Sequence, residues 1–401
     1  MIKRLLRKLL LKPVLRLSAR YSSRPDRTRV FTALSKLLDC IRQGKYKKGL
    51  ALPFTEAQGK FIIFSDQHKG GRNGADDFAT CEPAYLGALG HYAREGYTLV
   101  ALGDCEELWE NSWLTVSKAH SATFAKEKEF HDRGAFIKIF GNHDLQWEND
   151  PLAPVYLRSV YGTEMPVYEG VLLRTETAGG PLDIFCTHGH QGDEVSDGNW
   201  FSKFFVARIW APLQAWLAIN PNTPAYDTTL KTLHNTLMYE WSAAQPGLLL
   251  ITGHTHQPVF ESLTHIERLY RQLLFARAGS DTAAIATAEA AIRERKFEYS
   301  NISEDYLKLQ PSYFNSGCCC FADGSISGIE IADGHLRLVQ WERRGNEVLR
   351  SVVEEAGLEE LRKAVECEEQ TPATPVVAQI QGTEGTEGTV EQGTRNREPK
   401  K

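Results

Sequence analysis

Five short blocks of side chains suited to metal binding recur along this chain, and each one follows an apolar run of strand character. Asp66-Gln67-His68 follows Phe61-Ile62-Ile63-Phe64, and Gly103-Asp104 follows Thr98-Leu99-Val100-Ala101-Leu102. Gly141-Asn142-His143-Asp144 comes after Phe136-Ile137-Lys138-Ile139-Phe140. His188-Gly189-His190 comes after Leu182-Asp183-Ile184-Phe185-Cys186, and Gly253-His254-Thr255-His256 after Leu248-Leu249-Leu250-Ile251. Ligands placed just past strand ends converge on one edge of a sheet, which is where open α/β sheets carry their sites.

Helical segments such as Pro83–Glu95 and Ser117–Asp132 alternate with these runs from about 60 to 258, the signature of an α/β layered domain. Two helix-rich intervals interrupt the pattern. The first, 199–241, carries Trp200, Phe201, Phe204, Phe205, Trp210, Leu213, Trp216 and Leu217. Aromatic residues at helical spacing read as a pair of helices packed on the sheet, or as a cap that gives a lipid or aromatic substrate an apolar wall. The second, 259–298, is rich in Ala and Arg and reads as a helical surface insertion. Asp333-Gly334 then separates Ile329-Glu330-Ile331 from Leu336–Trp341, a two-residue hairpin signal. The expected organisation is a basic N-terminal extension (1–58), the main domain (59–345), a C-terminal helix (346–368) and a disordered Gly-Thr-Glu tail (369–401).

Charge is distributed unevenly. Residues 1–48 hold fifteen Lys and Arg against Asp26 and Asp39, a local balance of +13 in a chain whose total is −5. Arg4, Lys8, Lys12, Arg16 and Arg20 recur every fourth residue among leucines, and Pro13 divides the stretch. Two readings stand for 1–20: an interfacial anchor on an anionic membrane, or a helix packed on the main domain with its charged face in solvent. The Leu-rich start lacks a small-residue cleavage site, and no apolar run reaches the roughly 20 residues that span a bilayer. Eight cysteines, three of them adjacent at Cys318, Cys319 and Cys320 with no Cys-x-x-Cys pair, fit neither a disulfide framework nor a zinc cage. The expected location is a reducing cytoplasm, at most peripheral on the inner membrane face.

Taken singly, each block is a common pattern, because a buried histidine is more often a hydrogen-bonded core residue than a ligand. Five in one order, each at a strand end, argue for a shared site. The set resembles the calcineurin-like metallophosphoesterase family, whose blocks run Asp-x-His, Gly-Asp-x-x-Asp/Glu, Gly-Asn-His-Asp/Glu, a His after a strand, and Gly-His-x-His. The resemblance covers about residues 60–258, and Tyr313-Phe314-Asn315-Ser316-Gly317 with its following hairpin looks like the end of the same fold. It implies an α/β, four-layer architecture of two packed mixed sheets flanked by helices, and a site for two divalent metal ions.

Carried over position by position, the resemblance puts Asp66, His68 and His256 on the first metal and Asn142, His188 and His254 on the second, with Asp104 bridging. Carboxylate, imidazole and amide donors suit Mn²⁺ first, or Fe or Zn²⁺, whereas Ca²⁺ and Mg²⁺ prefer an all-oxygen shell. Two such ions about 3.5–4 Å apart hold a shared hydroxide that attacks phosphorus in line. His143 matches the family's catalytic histidine at the leaving group, and Glu107 the acid that orients it. Asp144 equally suits bracing of the loop. His190 lines the pocket or bonds to a ligand from behind, and Lys69 and Arg72 are candidate phosphate contacts or solvated loop residues.

The implied activity is hydrolysis of a phosphoester or pyrophosphate bond. The spacing between the fourth and fifth blocks resembles the bacterial UDP-2,3-diacylglucosamine pyrophosphatases, so a lipid-linked or nucleotide-sugar-linked substrate is expected. Residues 1–58, the insertion after His256 and Gln191-Gly192-Asp193 depart from that subgroup. Alternatives within the superfamily are a nuclease and a soluble phosphomonoesterase or phosphodiesterase. Nucleic acid is disfavoured as a partner because aromatic and basic residues do not interleave near the blocks. Leu108 and Leu145 stand where protein Ser/Thr phosphatases carry arginine. A non-catalytic metal-binding scaffold is the remaining reading, and loss of a ligand or of His143 would be its sign.

Overall fold

The computed structural model describes residues 25–45, 49–74, 76–192, 228–295 and 309–366. The basic segment 1–20, the aromatic run 200–217 and the tail 369–401 lie outside the described residues.

Two seven-stranded sheets form the centre. One begins with β2 (Phe61–Phe64), β3 (Thr98–Leu102), β4 (Phe136–Ile139) and β5 (Val167–Tyr168), all parallel. It is completed by the antiparallel strands β12 (Ile326–Ala332), β13 (His335–Arg344) and β14 (Glu347–Gly357). The other runs in the order β1 (Gly49–Pro53), β6 (Gly170–Thr177), β7 (Gly180–Thr187), β8 (Leu248–Thr252), β11 (Tyr313–Asn315), β9 (Val259–Phe260), β10 (Leu263–Thr264). Within it β7, β8 and β11 are parallel neighbours.

Alternation along each strand sorts side chains between an inner and an outer core. Phe61, Ile63, Val100, Leu102, Leu249 and Ile251 enter the layer between the sheets. Ile62, Phe64 and Leu99 face outward, where helix α2 (Glu82–Arg94) covers them with Ala84, Tyr85, Ala88, Leu89 and Tyr92. On the other outer face, Leu172, Phe185, Leu248 and Leu250 meet α1 (Arg27–Arg42) and α7 (Thr228–Ala243). Strands buried on both faces read as unbroken apolar runs, which is why these five stood out in the sequence.

The remaining described helices are α3 (Trp113–Ala119), α4 (Ser121–Asp132), α5 (Gln146–Asn149), α6 (Ala153–Tyr161), α8 (His265–Ala278), α9 (Thr282–Arg295) and α10 (Leu358–Glu366). Helices α8 and α9 occupy the expected insertion and share a small cluster of Leu269, Leu273, Ala288 and Ile292. Asp333 and Gly334 have φ of 53° and 73°, the two left-handed residues a tight hairpin turn needs.

Three expectations differ from the structure. Residues 27–53 are not an extension: Val30, Leu34, Leu37, Leu38 and Ile41 bury one face of α1, and β1 pairs with β6. The stretch 346–368 is not one helix, because 347–357 is strand β14, whose Arg350 meets Glu330 at 2.8 Å across the sheet. Within 199–241, the described part of α7 is core rather than cap, since Leu237, Met238 and Trp241 pack against α1 and the sheet. No described helix is long and apolar enough to cross a membrane.

Candidate metal centre

All five blocks sit at the carboxyl ends of parallel strands: three after β2, β3 and β4 in one sheet, two after β7 and β8 in the other. Beyond β2 and β3 the chains stay paired, with Asp66 N donating to Gly103 O at 3.0 Å and His68 N to Asp104 O at 2.9 Å. Gly253 N donates to His188 O at 3.1 Å on the other side.

The backbone at these residues is strained. Asp66 (φ 51°), His68 (51°), Asp104 (50°), His254 (68°) and His256 (56°) all lie in the left-handed region, which non-glycine residues rarely enter. Such strain costs of order 1–3 kcal/mol per residue and collects at functional sites. Two glycines are dictated by close approach. A Cβ on Gly103 would lie 2.6 Å from the His188 ring, and one on Gly253 would lie 2.5 Å from Asp66 Oδ2.

The side chains gather in two adjoining groups. Asp66, His68 and His256 form one and Asp104, His188 and His254 the other, each with donor atoms within 4.8 Å of one another. His256 Nε2 lies 3.2 Å from Asp66 Oδ1, and His68 Nε2 lies 3.1 Å from His256 Nε2. Asp104 stands between the groups, with Oδ2 3.3 Å from His188 Nε2 and 3.8 Å from His68 Nε2. Its other oxygen accepts from His143 N at 2.8 Å. Burial would raise the Asp66 pKa, but His256 and His188 hold it well below the usual carboxylate range.

Next to these groups, Glu107 Oε2 contacts His143 Nδ1 at 2.6 Å and His68 Nδ1 at 3.2 Å. Burial would lower the His143 pKa, yet the Glu107 and Asp104 carboxylates push it up to about 9. Burial likewise works against ionised Glu107, and His143 then His68 pull it down to about 2. The two form a buried ion pair. Asp144 braces the loop instead, accepting from Gly141 N at 2.6 Å and Cys105 N at 2.8 Å. His190 stands behind His188, their Nδ1 atoms 3.1 Å apart.

Two candidates for phosphate contact are engaged by carboxylates. Lys69 is fully buried, with Nζ 2.7 Å from Glu127 and 3.3 Å from Glu106. Burial alone would lower its pKa, but those two carboxylates raise it, so it is a charged core lysine held by acidic partners. Arg72 is engaged by Glu82 and by Ala119 O.

Four neighbours carried no signal in the motif spacing. Trp109 stacks on His143 with centroids 4.2 Å apart and an interplanar angle of 18°. His234 of α7 packs 5.0 Å from the His254 ring. Cys318 and Cys320, read as fitting no zinc cage, lie beside His256.

Whether this cradle fits metal is answered by its unpaired atoms. Asn142 Oδ1 and His254 Nε2 are buried with no hydrogen-bond partner, as is His143 Nε2. Buried polar groups are costly unless satisfied, and the first two are the donor atoms a cation would take.

Residues 59–258 match the family model described as calcineurin-like phosphoesterase. No curated protein matches the chain at a significant level. Among solved structures, vacuolar protein sorting 29 from Cryptosporidium parvum aligns at 11% identity over 75% of this chain and 98% of that one. The TM-score of that alignment is 0.29. With the family match lying on the two sheets and all five strand-end blocks, this chain carries a calcineurin-like phosphoesterase domain over residues 59–258 and belongs to that superfamily.

Proposed function

We propose that this chain is a metal-dependent phosphoric ester hydrolase acting on a phosphoester or pyrophosphate bond. The observation that carries the reading is the set of buried, unpartnered atoms on Asn142, His143 and His254, within blocks that also supply Asp66, His68, Asp104, His188 and His256.

Asp66, His68 and His256 would hold one divalent cation and Asn142, His188 and His254 a second, with Asp104 shared. When bound, such a pair supplies Lewis acidity, lowering the pKa of water and polarising phosphoryl oxygens. The Asp, His and Asn donor set favours Mn²⁺, with Fe or Zn²⁺ as substitutes.

The chain's own residues do the rest. His190 sits at His188 Nδ1, which leaves Nε2 of His188 turned to Asp66 and Asp104. Glu107 takes the Nδ1 side of His143, so Nε2 is the nitrogen left to give a proton to the leaving oxygen. Neighbouring cations would lower the His143 pKa from about 9 toward the operating range of an acid catalyst. Trp109 closes one face of the ring against rotation.

For the substrate we infer a lipid-linked or nucleotide-sugar-linked phosphoryl compound. Support comes from the basic, leucine-rich residues 1–20 and the aromatic run 200–217 in the sequence. The full chain with Mn²⁺ should hydrolyse bis(p-nitrophenyl) phosphate, and Asp104→Ala should abolish the turnover. No metal-dependent turnover, or turnover untouched by Asp104→Ala, overturns the reading. Liposome sedimentation with and without residues 1–20 tests the membrane component, and equal partitioning at low salt removes it.

A further inference from the structure

We propose that His256, Cys318 and Cys320 form a separate site for a thiophilic cation, Zn²⁺ or Cu⁺, on the outer nitrogen of a residue of the candidate metal centre. His256 is engaged on both sides: Nε2 faces Asp66 Oδ1 at 3.2 Å, while Nδ1 lies 3.5 Å from Cys320 Sγ. The donor atoms of His256, Cys318 and Cys320 all fall within 4.8 Å of one another. In a tetrahedral zinc site with Zn–S of about 2.3 Å and Zn–N of about 2.0–2.1 Å, the N···S edge is about 3.6 Å and the S···S edge about 3.8 Å. The observed N···S separation already matches such an edge.

The fold holds this arrangement from both sides. Cys319 N donates to Ser65 O and to Asp66 O, each at 3.2 Å, and its side chain enters the outer core with Phe64 and Tyr85. Cys318 O accepts from Ser327 N at 3.0 Å, and Gly317 O accepts from Ser65 Oγ at 3.1 Å. With the middle residue of the triplet anchored inward, its two neighbours turn to His256. Cys318 is buried, whereas Cys320 and His256 are partly exposed, which leaves a way in for an ion.

Donor chemistry separates this site from its neighbour. Carboxylate, amide and imidazole suit Mn²⁺, whereas paired thiolates select Zn²⁺ or Cu⁺. Binding releases the two thiol protons and any proton on Nδ1, since each donor must present a lone pair. A cation on Nδ1 would then change the basicity and direction of Nε2 and inhibit hydrolysis. Binding itself is independent of the hydrolase reading, while the inhibition rests on it.

The test uses the full chain loaded with Mn²⁺ and titrated with Co²⁺ as a spectroscopic probe. One additional Co²⁺ per chain should bind with a thiolate-to-cobalt charge-transfer band in the near ultraviolet. The band should be lost in Cys318→Ser/Cys320→Ser and kept in Asp104→Ala. Should the double variant fail to fold, Cys320→Ser alone decides, because that side chain is partly exposed. It should weaken Co²⁺ binding, and raise the Zn²⁺ concentration that half-inhibits turnover, by at least about tenfold. Absence of the band in the unaltered chain, or a band unchanged in Cys320→Ser, overturns the site. A band without Zn²⁺ inhibition overturns the coupling through His256. If the chain hydrolyses nothing, the Co²⁺ band still decides whether the site exists.

Discussion

Glu107 Oε2 lies 2.6 Å from His143 Nδ1, so a single carboxylate decides which nitrogen of that histidine is free for chemistry. The same oxygen reaches His68 Nδ1 at 3.2 Å, tying the proposed acid and a proposed metal ligand to one anchor. Glu107→Gln should therefore lower both metal affinity and turnover, each by about 10–100-fold. His143→Ala should lower kcat by about 10²–10⁴-fold with less effect on metal content. Combining the two should cost less than the product of the single losses, because both act through one ring. Steady-state kinetics beside metal analysis checks this, and fully multiplicative losses would separate the residues.

Trp109 lies flat on the His143 ring, where its π face favours the protonated imidazole. Trp109→Ala should reduce kcat about 3–30-fold, the range expected for loss of one such contact. Metal content and melting temperature should hardly change. Parallel loss of bound metal would mean that the indole supports the cradle rather than the acid.

Lys69 offers a contrast between two roles. Removing the buried Lys69 ammonium leaves Glu127 without a cation, while Glu106 keeps Lys138 at 2.9 Å. Breaking a buried pair of this kind costs roughly 3–5 kcal/mol. Lys69→Met should lower the melting temperature sharply while KM of the folded fraction stays constant. A raised KM at unchanged stability would restore the role of phosphate contact.

Stability should also depend on pH through the buried group of His120, Asp76 and Glu82. His120 Nε2 is 2.8 Å from Asp76, and Nδ1 is 3.2 Å from Glu82. Burial opposes ionisation of Glu82, but His120, Thr123 and Arg72 hold it at about 2 against its ordinary 4.5. Its contribution is complete above pH 4.5 and is lost as pH falls toward 2. Burial opposes a charged His120, but Asp76 and Glu82 raise its pKa above the ordinary 6.5. That contribution is complete below pH 6.5 and is lost as pH rises through the folded pKa. The difference in melting temperature between the unaltered chain and His120→Gln should thus be widest between pH 4.5 and 6.5. A difference that stays constant with pH would contradict the ion cluster.

The site was legible in the sequence because its residues follow strands that are buried on both faces, and those strands read as short unbroken apolar runs. Helices with one apolar stripe were also legible: Pro83–Glu95 was expected where α2 spans Glu82–Arg94. Strand β14 was not, because Glu347–Gly357 is mostly exposed or half-buried, carries charged residues among its apolar ones, and is held by cross-strand partners such as Glu330. Lys69 misled for a related reason. Its partner Glu127 lies 58 residues away, so only the folded chain shows that the charge is compensated inside. The position of Cys318 and Cys320 beside His256 depends on the anchoring of Cys319 to Ser65 and Asp66, which no spacing rule encodes.

The orphaned atoms of Asn142 and His254 mark the proposed cradle for metal on which hydrolysis would depend. Its most direct test is Mn²⁺ stoichiometry measured together with turnover of bis(p-nitrophenyl) phosphate, for the full chain and for His254→Ala. The full chain should bind two Mn²⁺ and turn over, and the variant should hold one or none with turnover lost. Equal Mn²⁺ content and equal turnover in both proteins would contradict it.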